Sequence, residues 1–89
     1  MIQEYKPKYI RWFAIQYHNN PEETEKKLRE FTKIDWPRIY KTDYGSSVAG
    51  KYLQPSDYIV LNFVGETNPE PEILVLSETE FRQSFQEFN

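Results

Sequence analysis

The sequence predicts an α+β fold, a small and mainly antiparallel sheet of four to five strands with two helices in the order β-α-β-β-β-β-α. Runs of β-branched and aromatic residues between turn signals indicate the strands, and two N-cap sequences indicate the helices. With 89 residues, positions 1–89 are expected to form a single domain. The most apolar run, residues 58–64, is expected to be the central strand.

The first strand and the first helix are predicted over residues 8–33. Both faces of residues 8–17 are largely apolar, so an interior position in the sheet is expected for this strand. The helix begins after the N-cap residue Asn20, has Pro21 and two glutamates in its first turn, and is expected to end near Lys33.

Two further strands are predicted before the central one. Residues 34–41 contain Pro37, which has no amide hydrogen to donate, so this strand is expected at an edge or with a break. Residues 42–47 are predicted to be a turn in which Gly45 supplies a positive φ angle. A short third strand is predicted over residues 48–53.

The C-terminal half is predicted to be a hairpin followed by a helix. A type I-like turn is expected at Pro55-Ser56-Asp57. The central strand is expected to pair antiparallel with residues 73–76 across a loop at 65–71. Residues 77–80 have the sequence of a capping box, which predicts a helix from there to about residue 88. The stripe of this helix that packs on the sheet is expected to contain Phe81, Phe85 and Phe88.

Composition excludes several classes of function. The chain has no cysteine, so it forms no disulfide and has no thiolate chemistry. Its first residues lack the apolar core of a signal peptide. Its apolar runs are all much shorter than the roughly 20 residues that a membrane-spanning helix needs. Neither glycine-rich nucleotide-binding motif, G-x-x-x-x-G-K-[ST] or G-x-G-x-x-G, is present. A cytosolic protein without membrane association is therefore expected.

The chemically active residue types are too few for a recognisable catalytic or metal site. His18 is the only histidine and is expected to be a surface or capping residue, since zinc prefers several nitrogen and sulfur ligands. Ser46, Ser47 and Ser56 would need a base beside them to act as nucleophiles. Asp57 is more simply a turn residue, and the carboxylates match no calcium-binding loop. We predict a protein that is not an enzyme, with no catalytic residues, no metal and no cofactor.

Charge is unevenly distributed along the chain. Residues 1–51 contain ten lysines and arginines against seven acidic residues, whereas residues 52–89 contain one against seven, for a net charge of −3. An acidic surface can imitate the spacing of phosphates and occupy a basic groove on a partner; its alternative role is ordinary solubility. The predicted partner-binding residues are Asp57, Glu66, Glu70, Glu72, Glu78 and Glu80.

Residues 5–12 interleave basic and aromatic side chains, a pattern typical of proteins that bind single-stranded nucleic acid. The chain as a whole is acidic, however, and Trp12 is expected to belong to the core. Direct binding of nucleic acid is therefore not expected.

Three motifs occur in a characteristic order. They are Ala14-Ile15-Gln16-Tyr17, preceded by Lys6-Pro7-Lys8, then Pro55-Ser56-Asp57-Tyr58-Ile59-Val60, and finally Leu76-Ser77-Glu78-Thr79-Glu80-Phe81. The chain resembles a family of short, mostly uncharacterised tailed-bacteriophage proteins with an Ala-Ile-Gln-aromatic first strand, a Pro-Gly-Asp-Tyr/Trp-Ile motif and a C-terminal Leu-Ser-x-x-x-Phe helix. It departs from that family at Ser56, where glycine is usual, and in its acidic loop at 65–71, where relatives often continue with a Gly-Glu-aromatic hairpin.

The resemblance implies a phage accessory gene product that works in the cytoplasm of a host bacterium. We predict a protein that binds and inhibits a bacterial host protein, such as a counter-defence inhibitor of the anti-CRISPR kind directed at a nucleic-acid-binding defence protein. Tyrosine-rich surfaces suit such interfaces. The alternatives are a protein that sequesters a small ligand or nucleotide signal by aromatic stacking, and a structural or regulatory phage module. Exposed edge strands can pair with those of a second copy of the chain, so a dimer is a further alternative.

Overall fold

The computed structural model of the chain describes residues 2–5, 10–34, 37–64 and 71–85. The elements are β1 Ile10–Gln16, α1 Pro21–Thr32, β2 Ile39–Thr42, β3 Gly45–Val48, β4 Lys51–Leu53, β5 Tyr58–Val64, β6 Glu72–Leu76 and α2 Glu78–Ser84. The strands form two three-stranded antiparallel sheets, sheet A in the order β1-β5-β6 and sheet B in the order β2-β3-β4. The α+β class, the two helices and the antiparallel pairing are confirmed; the strand count differs slightly, since two sheets of three strands are found where one sheet of four to five was predicted.

The additional strand arises within residues 48–53, which were predicted to be a single strand. Ala49 and Gly50 both have positive φ angles, of 50° and 75°. Positive φ at two successive central residues is the pattern of a type I′ hairpin turn. Val48 consequently pairs with Lys51, and the chain folds back on itself as β3 and β4.

The start of β2 is set by Pro37. This residue is buried and precedes the strand, and β2 lies at an edge of sheet B, which is one of the two predicted alternatives. The amide of Ile39, the first residue of β2, donates to the carboxylate of Glu25 on α1. The turn predicted over residues 42–47 is shorter than expected and consists of Asp43-Tyr44, because the residues on either side of it are already paired.

Sheet A is organised around β5, as predicted. Ile59 and Leu61 are fully buried on one face of this strand, and Val60 is fully buried on the other. β1 pairs with β5 from Ile10–Val64 to Gln16–Tyr58, and β6 pairs with its opposite edge. β1 is therefore an edge strand, and the predicted interior position is wrong. One of its apolar faces, with Phe13 and Ile15, packs against the core, whereas the other, with Trp12 and Ala14, is exposed.

The main core lies between sheet A and a layer formed by α1 and sheet B. It contains buried side chains from both sheets and from the inner face of α1, together with the tyrosine that follows β1. These are Tyr17, Leu28, Ile39, Val48, Leu53, Ile59, Leu61, Phe63 and Ile73.

Helix α1 has the predicted start. The Asn20 side chain accepts from the amide of Glu23 at 3.1 Å, and Pro21 is the first helical residue. The helix ends at Thr32, followed by Lys33 in the left-handed conformation, which closes the last turn.

Helix α2 covers the face of sheet A opposite the main core. Its capping box is formed as predicted, with the Ser77 hydroxyl accepting from the Glu80 amide at 3.1 Å and the Glu80 carboxylate accepting from the Ser77 amide at 3.1 Å. The helix ends at Ser84 because Phe85 already has an extended backbone, with φ −133°. The helix is therefore shorter than predicted, and the prediction that it continues to about residue 88 is wrong.

An aromatic layer joins α2 to the sheet. Phe81 stacks on Tyr58 with 3.9 Å between ring centroids, and Phe85 meets the edge of Trp12 at 5.3 Å. The predicted packing is confirmed for these two phenylalanines, while Phe88 lies outside the described residues. Trp12 is 46% exposed, so its predicted core position is wrong. It lies on the edge strand β1, where α2 covers only part of the ring.

The turn before β5 differs from the prediction. The Asp57 amide donates to the Gln54 carbonyl at 3.0 Å, and Ser56 has a φ angle of 78°. Proline in the second position with a positive φ in the third defines a type II turn, so the prediction of a type I-like turn is wrong. The third position of such a turn strongly favours glycine, because any side chain there crowds the backbone.

Replacing Ser56 with glycine is expected to raise the free energy of unfolding by about 0.5–1 kcal/mol. The left-handed conformation costs a residue with a Cβ atom about 1–2 kcal/mol, and the greater freedom of glycine in the unfolded chain offsets part of the gain. Urea unfolding followed by circular dichroism measures the change. Ser47→Gly is the matched control: Ser47 lies within β3 without a positive φ, so this substitution should be destabilising. A Ser56→Gly variant no more stable than the parent would contradict the prediction.

Candidate interaction surface

The acidic residues predicted to bind a partner are divided between the two ends of sheet A. Asp57, Glu78 and Glu80 lie at the end where β5 begins and β6 finishes. Glu72 lies at the opposite end, about 13 Å further along β6. Glu66 and Glu70 lie outside the described residues.

Three of these carboxylates take part in local structure. Asp57 accepts from the Gln54 amide at 2.9 Å, as expected of a turn residue. The hydrogen bond from the Ser77 amide holds the pKa of Glu80 below its ordinary value, and the Ser77 hydroxyl adds to the effect. Glu78 forms an ion pair at 3.0 Å with the arginine one helical turn later. Each therefore has a structural role at a turn or a helix end.

Among the described residues, His18 forms no hydrogen bond with Ser46, Ser47 or Ser56, although the Ser56 amide donates at 2.8 Å to the carbonyl of Tyr17, which precedes His18. His18 and Ser56 are exposed, whereas Ser46 is buried with its hydroxyl 2.8 Å from the hydroxyl of Tyr17. Within residues 2–5, 10–34, 37–64 and 71–85, no group of three or more histidine, cysteine, aspartate and glutamate side chains is arranged to hold a metal ion. In that same part of the chain, no helix has the length and apolar character needed to cross a membrane.

The outer face of sheet B carries the most prominent exposed aromatic residues. Tyr40 on β2, Ser47 on β3 and Tyr52 on β4 lie directly opposite one another, so their side chains point to the same side. Tyr40 is 64% exposed and Tyr52 is 83% exposed, and Tyr44 in the turn between β2 and β3 is 96% exposed. We call Tyr40, Tyr44, Ser47 and Tyr52 the tyrosine face.

Alternation along the strands produces this face. Ile39, Val48 and Leu53 turn inward and are buried, so the residues next to them turn outward. Sheet B is anchored beneath by the inward-pointing Ser46, which is hydrogen-bonded to the fully buried Tyr17.

A groove of about 360 Å³ runs along the tyrosine face. Its lining includes two exposed aromatic residues, Tyr44 and Tyr52, and three small ones, Gly45, Ser47 and Gly50. Small residues in a sheet allow another group to approach its backbone closely.

The rim of sheet B is positively charged. Its stretch, residues 37–54, contains Arg38, Lys41 and Lys51 against the single acid Asp43, a net charge of +2 on a chain whose total is −3. The two lysines alternate with the tyrosines, so they start from the inner side of the sheet, but both are exposed on its edge strands. Lys41 stays on that inner side, where its ammonium group donates to the Asn19 carbonyl at 3.5 Å.

A second groove, of about 330 Å³, lies between α1 and β1. Trp12, Phe13, Leu28 and Phe31 line it, and Phe31 is exposed although its ring lies 4.9 Å from that of Phe13. This groove lies beside the unpaired edge of β1 and is more apolar in its lining than the tyrosine face.

Comparisons of the chain with protein-family models, with curated proteins and with solved structures find no match. The resemblance to a phage family therefore stays a prediction. A functional proposal therefore depends on the exposed residues and grooves of the chain itself.

Proposed function

We propose that this chain is a non-enzymatic binding protein that docks its tyrosine face onto an acidic surface of another protein and blocks that protein's activity. Its proposed setting is the one that the sequence resemblance implies, a bacteriophage accessory protein acting on a host protein in the bacterial cytoplasm, as a counter-defence inhibitor would.

The observation that carries this proposal is the exposure of Tyr40, Tyr44 and Tyr52 together on one small sheet. Leaving large aromatic rings in water forgoes the free energy of their burial, and tyrosine is enriched at the centres of protein interfaces. Each ring has few rotatable bonds, so it loses little entropy on binding. Paired hairpins hold the backbone beneath the rings, which lowers the cost of docking further.

Charge determines the kind of partner. The net charge of +2 over residues 37–54 favours a negatively charged surface. The proposal therefore differs from the expectation that the acidic C-terminal segment binds a basic partner, since the described acidic residues are divided between two ends of sheet A.

A small-ligand function is the second candidate. The groove between Tyr44 and Tyr52 has the volume of a small-molecule site and two rings on which a base could stack. A thermal-shift screen with nucleotides separates the two functions, because a ligand at 100 times its Kd adds about 2.7 kcal/mol of stability.

The decisive experiment is affinity capture from a bacterial lysate, followed by measurement of Kd with the purified partner. We expect Tyr44→Ala/Tyr52→Ala to weaken binding at least about tenfold. Truncating an aromatic anchor at the centre of an interface costs about 2 kcal/mol, and about 1.4 kcal/mol already corresponds to a tenfold change in Kd. Tyr5→Ala is the matched control, because Tyr5 is 82% exposed but lies outside sheet B.

A third variant tests the acidic surface. Glu66→Lys/Glu70→Lys/Glu72→Lys should bind at least as well as the parent if the tyrosine face is the contact. If this variant binds the partner much more weakly while the tyrosine variant binds as tightly as the parent, the acidic segment is the interface and the proposal is wrong.

A further inference from the structure

We infer that Trp12, Asn62 and Glu72 form a binding site for a guanidinium group, presented as an arginine side chain on another protein. The site lies on the face of sheet A that α2 partly covers, whereas the tyrosine face lies on sheet B. The inference goes beyond the proposed function and does not depend on it.

The three residues stand in one row across sheet A. Trp12 on β1 lies opposite Asn62 on β5, and Asn62 lies opposite Glu72 on β6. Side chains at directly opposite positions point to the same side of a sheet, with about 4.5–5.5 Å between their Cβ atoms. Asn62 is consequently the centre of a group with an aromatic ring on one side and a carboxylate on the other.

Asn62 is the residue that points to a ligand. It is half-buried within the apolar run of β5, and its Oδ1 atom is buried without a hydrogen-bond partner among the described residues. Asparagine is uncommon within strands, and a buried acceptor left without a partner lowers stability. Buried polar side chains are normally hydrogen-bonded, so a donor from outside the chain would complete this one.

The two flanking side chains suit a cation. Trp12 is 46% exposed, and the face of an indole ring attracts a cation that lies within about 6 Å of its centroid. Glu72 is exposed, and its carboxylate forms no ion pair or hydrogen bond within the part of the chain that the structure describes. A cation above Asn62 lies between the ring and the carboxylate.

Guanidinium fits these three groups better than other cations. Its five N–H groups lie in one plane, so one edge can donate to the Asn62 oxygen and another to the Glu72 carboxylate. Its flat faces stack on aromatic rings, and it is more weakly hydrated than the ammonium group of lysine. A calcium ion takes about six to eight oxygen ligands, more than one amide and one carboxylate supply.

The test is an NMR titration of the full ¹⁵N-labelled chain with a capped five-residue peptide that has one arginine between glycines. We expect saturable shifts of the Trp12 indole N–H and the Asn62 side-chain amide, with an apparent Kd in the millimolar range because a single side chain binds. Glu72→Gln should weaken binding several-fold, and added salt should also weaken it. Glu22→Gln is the matched control, since it removes the same charge from an exposed position on α1 and should leave the affinity unchanged.

Asn62→Leu separates a binding role from a structural one. The substitution removes the unpartnered oxygen and keeps the approximate shape of the side chain. It should abolish the saturable shift of the Trp12 indole and leave the melting temperature equal to that of the parent or higher. A clear fall in melting temperature would assign Asn62 a structural role and overturn the inference.

Three comparison ligands make the result specific. Citrulline in place of arginine tests the need for the positive charge, lysine in its place tests the need for guanidinium, and free L-arginine tests the amino acid alone. We expect both altered peptides to bind more weakly, and free L-arginine to bind no more tightly than the arginine peptide. Equal binding of either altered peptide, tighter binding of free L-arginine, or no shift at Trp12 and Asn62 would each overturn the inference.

Discussion

Replacing Leu61 with alanine is expected to lower the free energy of unfolding by about 2–5 kcal/mol. Leu61 is fully buried on the core face of β5, and β5 is hydrogen-bonded to a neighbour on each side. A strand held at both edges moves little, so the cavity left by the missing atoms stays open. For a domain of this length the loss is a large share of the total stability, on the order of 5–13 kcal/mol.

Urea unfolding measures this loss, and two further variants keep the result interpretable if Leu61→Ala is too unstable to fold. Leu61→Met retains most of the volume and should cost less than about 1.5 kcal/mol. Leu74→Ala removes the same atoms from the adjacent strand on the face under α2, where the side chain is only half-buried, and should cost less than Leu61→Ala. A smaller loss at Leu61 than at Leu74 would place the main core on the wrong face of sheet A.

Replacing Tyr17 with phenylalanine is expected to lower the free energy of unfolding by about 1–3 kcal/mol although the ring is retained. The Tyr17 and Ser46 hydroxyl oxygens lie 2.8 Å apart, and both residues are buried. Removing one hydroxyl leaves the other without its partner, away from water. An unpaired buried hydroxyl costs more than the net gain from forming the hydrogen bond.

A double-mutant cycle separates this hydrogen bond from changes in packing. Ser46→Ala should also be destabilising, and Tyr17→Phe/Ser46→Ala should lose clearly less than the sum of the two single changes. Strict additivity would mean that the two hydroxyl groups are not coupled. Since Ser46 lies in sheet B and Tyr17 follows β1 of sheet A, the cycle also measures how firmly the layer bearing the tyrosine face is attached to the rest of the molecule.

The parts of the fold that follow from neighbouring residues were predictable. Asn20 and the Ser77–Glu80 pair identify both helix starts, because a cap is satisfied by amides within three positions. β5 was evident from its continuous apolar run. The turns at Ala49 and Ser56 were misjudged because neither residue type favours the left-handed conformation that it adopts. The first of these turns separates β3 from β4 within the strand predicted over residues 48–53.

The tyrosine face illustrates the same limit. Tyr40 and Tyr52 alternate with buried residues along their strands, but only the register places both opposite Ser47. That register depends on the hairpin at Ala49-Gly50, which the sequence pattern did not reveal. Charge composition, by contrast, is independent of the fold, so it identified acidic residues without showing that they lie at different ends of sheet A.

The strand order β1-β5-β6 also constrains how the chain assembles during synthesis. β1 finds its partner only after β2, β3 and β4 have been made, with pairs that run from Gln16–Tyr58 to Ile10–Val64. Sheet B, in contrast, is two successive hairpins of neighbouring residues, and local contacts of this kind form fastest. Until β5 leaves the ribosome, β1 has no strand to pair with and the apolar inner face of sheet B has no core to cover it. This nascent chain is the form most exposed to chaperones, proteases and aggregation.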